Sequence, residues 1–148
     1  PSDCPAFGFN DNNVDYLDPS AFKQSRIRGI ESNHLNEGVE QLRRGQSTAN
    51  VGGDLRFILQ IIPNHHRAMY ALMRLALREK TAAPRETEPY TTVCWLERAT
   101  VYNPNDGKSF LIYGVYLGRL DRTDDAIAAL ERADALMPGD LNVAYNLG

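Results

Sequence analysis

Apolar residues recurring every three or four positions predict helices along the second half of the chain. DDAIAALERADALMP sets Ala126, Leu130, Ala133 and Met137 on one face, and Asp124 stands where an N-cap belongs. SFLIYGVYLGRL sets Phe110, Tyr113, Leu117 and Leu120 on another stripe, with Gly114 and Gly118 beside it. LDRTD supplies a tight connection, so the two stripes predict a helical hairpin. Small residues at Gly114, Ala126 and Ala133 let the two backbones approach while larger side chains interlock.

Upstream the same pattern returns with less fidelity. HRAMYALMRLALREK reads as a helix, FILQIIPNHH ends one at Pro63, and LERATVYNPND places Ala99 five residues before Pro104, as Ala133 stands five before Pro138. TAAPRETEPY, with Pro84 and Pro89, is a long loop between helices. LNEGVEQLRRG is a short helix closed by Gly45, QSTANVGG a loop, and Asp54 the expected N-cap of LRFILQII. CPAFGFNDNNVDYLDPSAF has no helical stripe and predicts an extended arm with turns, bearing Phe7, Phe9, Tyr16 and Phe22. Such an aromatic arm is held by something: either its own helices or the groove of a neighbouring copy.

The span Gly107 to Asp140 resembles a tetratricopeptide repeat, a 34-residue helical hairpin. Phe110, Gly114, Ala126, Leu130, Ala133 and Pro138 stand at the fourth, eighth, twentieth, twenty-fourth, twenty-seventh and thirty-second positions of that unit. Tyr113 and Leu117 depart from the pattern as size swaps within a core. LNVAYNLG then aligns with the opening of a further repeat, and GGDLRFILQIIPNHHRAMY is similar to a segment of exported bacterial tetratricopeptide proteins. The resemblance covers about Glu37 to the end. It implies an all-α, tetratricopeptide-like solenoid of helical hairpins, about 3 to 3.5 repeats, degenerate on its N-terminal side. The organisation expected is an arm over 1–25, a degenerate hairpin over 26–63, a repeat with a lengthened loop over 64–106, a repeat over 107–140 and a first half-helix over 141–148.

In this family the first helices of successive repeats line a concave face. Carried over, the facing residues are Arg67, Tyr70, Arg74 and Arg78, then Lys108, Leu111, Val115 and Arg119, then Asn142 and Tyr145. Helical geometry agrees for the first four, which fall within about 80° on one side, opposite Ala68 and Leu72. Four arginines and a lysine make this an expected site for an acidic or carboxylate-bearing extended segment. The family's carboxylate-clamp pattern is not reproduced, because Ala71 and Ile112 occupy positions where it needs polar residues.

Composition narrows the classes. Sixteen basic and nineteen acidic residues leave a net charge of −3, which gives no long-range attraction for nucleic acid. No apolar run approaches the ~20 residues a membrane span needs. Two cysteines, Cys4 and Cys94, fit one disulfide in an oxidising compartment, within a chain or between chains, or else two free thiols. The opening PSDCPAF lacks Met, so export with a removed signal peptide, to the periplasm or cell surface, is the expectation.

Chemical motifs are sparse. His65 and His66 are adjacent and point roughly 100° apart on a helix, unlike a chelating i, i+4 pair. The expectation is that Asn64 caps that helix, with both histidines in its exposed first turn and His34 unconnected to them. Asp11, Asn13 and Asp15 echo a calcium loop, but Tyr16 and Phe22 stand where its Gly and Glu belong, so turn formation accounts for them. No nucleophile, phosphate-loop or zinc-protease motif is present, and no Asn-x-Ser/Thr. No catalytic residue, metal or cofactor is therefore expected. The leading expectation is a structural protein that self-associates end to end, into an oligomer or helical fibre, through Phe7, Phe9, Tyr16 and Phe22 of the arm and Tyr145 and Leu147 of the last helix. The alternatives are a monomeric periplasmic adaptor using the groove and a piece of a longer cytosolic array.

Overall fold

The computed structural model describes Cys4, Pro5 and residues 7–148, and those residues form eight α-helices and no strand. In chain order they are α1 (Ala21–His34), α2 (Glu37–Glu40), α3 (Val51–Ile61), α4 (His66–Glu79), α5 (Thr92–Tyr102), α6 (Gly107–Arg119), α7 (Thr123–Leu136) and α8 (Leu141–Leu147). Each packs mainly on its near neighbours in sequence, α3 on α4, α4 on α5 and α6, α6 on α7, and α7 on α8. The chain is all-α.

The hairpin α6–α7 is built as the small residues dictate. A Cβ on Gly114 would come 2.8 Å from Leu130 Cγ, and Ala126 and Ala133 are buried against the same contact. Asp121 closes the turn at φ 60°, a left-handed conformation for which aspartate is better suited than most residues. Asp124 does not cap α7. That helix starts at Thr123 without a side-chain cap, and Asp124 lies in its first turn, where its charge still favours the helix start. Leu120 closes the expected apolar stripe of α6 but is largely exposed, because the helix ends before it.

At the centre, α4 buries Ala68, Met69, Leu72 and Ala76 against α3, while Leu55, Ile58, Leu59 and Ile62 fill the other side. A smaller cluster of Leu111, Leu130, Ala133 and Val143 seats α8. The long loop between α4 and α5 is tied down: Trp95 Nε1 donates to the Thr87 carbonyl, and Glu86 accepts the Asn50 amide at 2.6 Å.

Two features differ from expectation. Residues 21–34 form one helix, which starts inside the arm expected over 1–25, although only Ile27 is buried on it. Asp54 lies inside α3, not at its cap; Asn50 holds that position. Its carboxylate faces backward and accepts the amides of Gln46 and Ser47, the Thr48 hydroxyl and a His34 Nδ1 contact at 2.8 Å. Burial alone would raise its pKa, yet these donors together hold it below the ordinary value.

The arm packs on its own helices. Cys4 and Cys94 form a disulfide within the chain. Phe7 stacks on Tyr90 and meets the edge of Trp95, the Val14 amide donates to the Ile61 carbonyl at 2.8 Å, and Tyr16 lies over His65 and His66. Arg98, reaching up from α5, donates to the carbonyls of Phe7, Gly8 and Leu59.

Candidate binding groove

The first turns of α4 and α6 sit side by side because one buried polar network fixes both. His65 is the N-cap of α4, its Nδ1 accepting the Ala68 amide, and Asp106 is the N-cap of α6, accepting the Ser109 amide. Asn64 bridges them, donating through Nδ2 to Asp106 at 2.9 Å and to Asp15 of the arm at 2.8 Å. His66 Nε2 lies 2.7 Å from the Asp106 carboxylate. Burial pushes Asp106 up, but His66, Asn64 and Ser109 outweigh it and its pKa stands below the ordinary value.

The histidines are therefore not an exposed first turn capped by Asn64. His65 is fully buried, and each of the three histidines pairs with a different carboxylate: His34 with Asp54, His65 with Glu31 and His66 with Asp106. Capping needs an acceptor aimed at a free amide, and the His65 ring fills that place while Asn64 is drawn to two carboxylates. Among the described residues no three His, Cys, Asp or Glu side chains converge as a metal set. Ser109, His66 and Asp106 do meet, but the buried Ser109 hydroxyl donates to Asp106 itself, so no imidazole serves it as a base. The Asx residues of the arm make turns: Asp15 accepts the Leu17 amide, and its other oxygen accepts from Asn103.

Beside this network runs a groove of about 610 Å³ between α4, α6 and α8. Its floor is Met73, Leu111, Ile112 and Val115, its walls Tyr70, Lys108, Asn142 and Asn146, and its near end Tyr16, His66, Arg67 and Glu40. Six of the ten residues expected there line it: Arg67, Tyr70, Lys108, Leu111, Val115 and Asn142. Arg74, Arg78, Arg119 and Tyr145 do not.

The groove is less basic than its sequence. Glu40 of α2 grips Arg67 through two hydrogen bonds of 2.9 and 2.6 Å, which raises the Arg67 pKa further and lowers that of Glu40. Arg74 donates through one nitrogen to the Glu40 carbonyl and Arg78 through one to that of Leu42, so α2 and its following turn draw three arginines toward themselves. Lys108 is left as a groove cation without a carboxylate partner among the described residues. The capping role of Asp106 is local, an Asp directly before α6, and could have been read from its place; the Asn64 bridge carries no such signal, because it depends on the arm's return across two helix starts.

The residues expected to assemble divide into inward and outward sets. Phe7 and Tyr16 are half-buried, packed against the molecule's own core. Phe22, 73 % exposed, Phe9, Leu17 and Val101 face out near the arm, and Leu141, Tyr145 and Leu147 face out on α8, the first two at 84 and 85 %. Comparison with protein-family models, curated proteins and solved structures gives no match to this chain.

Proposed function

We propose that the chain is a non-enzymatic, exported, tetratricopeptide-like repeat protein with a structural role, its copies associating end to end into an oligomer or fibre. The observation that carries the reading is the pair of unlike apolar surfaces: Phe22 and Leu17 where the arm enters α1, and Leu141 and Tyr145 on α8. Two different surfaces joined by a heterologous contact extend into a helical filament unless the rotation between copies closes a ring. The helices that carry the two surfaces differ in charge: α1 has Lys23, Arg26 and Arg28 against Glu31, whereas α7 with the α8 cap has Arg132 against Asp124, Asp125, Glu131, Asp134 and Asp140. The arm supplies a prebuilt surface, since the disulfide and Arg98 fasten it to its own body. The α6–α7 hairpin, with Gly114 against Leu130, supports the repeat assignment, and the disulfide supports an oxidising compartment.

Sedimentation and negative-stain microscopy over a range of concentration and salt test this. Growth without a fixed end point, weakened by salt and abolished by Leu141→Asp with Tyr145→Asp, is the expected result. A monomer at every concentration overturns it.

A second reading, capture of an acidic extended segment in the groove, is favoured by Lys108 beside exposed Tyr70. Lys108→Glu then abolishes binding of an acidic peptide while leaving sedimentation unchanged.

A further inference from the structure

A second, smaller cleft of about 220 Å³ lies on the far side of α2 from the groove, where the turn after α2, the start of α3, the end of α4 and the α4–α5 loop meet. Four arginines line it, Arg43, Arg44, Arg78 and Arg85, against one carboxylate, Glu79. They come from three separate chain segments, so their convergence is a property of the fold and not of a basic run.

The backbone carrying them is fixed. Leu42 turns the chain at φ 61°, and the amides of Arg43 and Arg44 both donate to the Gly38 carbonyl, at 2.8 and 3.3 Å. Arg78 is anchored through Nη1 to the Leu42 carbonyl at 2.7 Å and through Nη2 to Glu79 at 3.4 Å, which leaves Nε and the second hydrogen of each Nη for another acceptor. Gly52 presses on the loop so closely that a Cβ there would overlap the Arg85 carbonyl oxygen, and this contact sets the position of Arg85.

The fold neutralises this charge only in part. Glu79 reaches Arg78 only at 3.4 Å and Glu37 reaches Arg43 at 3.9 Å, while Glu86 is turned to the Asn50 amide. Arg44 and Arg85 have no carboxylate partner among the described residues. Four exposed arginines carried on three segments around one cleft offer more donors than a single planar carboxylate can accept, and suit a group with three or more equivalent acceptor oxygens better.

We infer that this cleft binds a dianionic tetrahedral oxyanion, a phosphate or sulfate group, with Arg44 and Arg85 as its principal ligands and Arg43 and Arg78 completing the shell. The inference stands apart from end-to-end assembly, because it concerns one copy and a small anion.

Titration calorimetry with inorganic phosphate, then sulfate, at low ionic strength and at a concentration where the full chain sediments as one species, tests it. Saturable binding is expected, at least tenfold weaker in Arg44→Gln/Arg85→Gln and unchanged in Arg28→Gln/Arg119→Gln, a pair of exposed arginines elsewhere. Glucose 6-phosphate and phosphatidylcholine vesicles with or without phosphatidic acid, a phosphomonoester lipid, separate a free ester from a lipid headgroup; either source, if competed by inorganic phosphate, supports the site. Absence of saturation, equal loss in both double variants, or vesicle binding that phosphate does not compete would overturn it.

Discussion

His65 Nε2 lies 2.6 Å from a Glu31 oxygen while Nδ1 of the same ring accepts the Ala68 amide at 3.1 Å. An amide can only donate, so Nδ1 is bare and Nε2 carries the proton. The neutral ring thereby caps α4 and ties α1 to it in one gesture. Burial lowers the His65 pKa, outweighing the pull of Glu31; Arg67 and His66 of α4 act in the same direction as burial, and Tyr16 packs on the ring.

Acid should therefore weaken the fold in two stages. A histidine held below its ordinary value of 6.5 contributes stability that is present above that pH and lost as pH falls through the folded pKa. Glu31, Asp54 and Asp106, also lowered, have ordinary values of 4.5, 3.8 and 3.8, and their contributions disappear as pH falls below that range. Urea midpoints are expected to be level above about pH 7, lower by pH 5 and steeply lower by pH 3. A midpoint unchanged from pH 7 to 5 would remove His65 from this account.

Substitution separates the cap from the tie. His65→Ala loses both and leaves a space, at a cost of about 2–3 kcal/mol. His65→Asn keeps an oxygen for the Ala68 amide and should recover about 1 kcal/mol of that. Equal urea midpoints for the two variants would show that capping contributes nothing.

This pair also marks where sequence and structure part. The α6–α7 hairpin was legible because Gly114, Ala126, Leu130 and Ala133 are packed by their spacing, and helix periodicity reports packing. Helix α1 was not, because it buries Ile27 and is otherwise held by polar ties, Glu31 to His65 and His34 to Asp54. Polar ties have no period. The same holds for the groove: positions on α4 and α6 were readable from a helical wheel, but Glu40 and Leu42 reach Arg67, Arg74 and Arg78 from a segment some 30 residues away in sequence. Asp54 follows two glycines as a cap would, and only the return of Gln46 and Ser47 shows what its carboxylate serves.

The arm should stay docked without its disulfide. Across a separation of 90 residues, the chain-entropy model gives roughly 4–5 kcal/mol for the Cys4–Cys94 bond, acting on the unfolded chain. Arg98 acts on the folded one, through three carbonyls and the faces of Phe7 and Phe9. Cys4→Ser is thus expected to lower the urea midpoint while leaving the arm resistant to limited proteolysis. Arg98→Met, which leaves the Leu59 carbonyl buried without its donor, should cost about 2–3 kcal/mol and, combined with Cys4→Ser, expose the arm to cleavage. Rapid arm cleavage in Cys4→Ser alone would assign the docking to the disulfide.

Two glycines on α6 should respond to alanine with opposite signs. Gly118 has only the Ala126 Cβ nearby, at 3.9 Å, and alanine there gains helix propensity of up to about 1 kcal/mol. Gly114→Ala gains the same propensity, but its new methyl would stand 2.8 Å from Leu130 Cγ and 3.3 Å from the Ala126 carbonyl oxygen. Leu130 is buried and cannot swing away without opening the cluster that seats α8, so the overlap forces α6 and α7 apart at about 1–3 kcal/mol. Thermal midpoints are expected to rise for Gly118→Ala and fall for Gly114→Ala. In Gly114→Ala/Leu130→Ala the clash is relieved while a cavity appears, so the two losses should add to less than their sum. Strict additivity would mean that the helices do not meet through this contact.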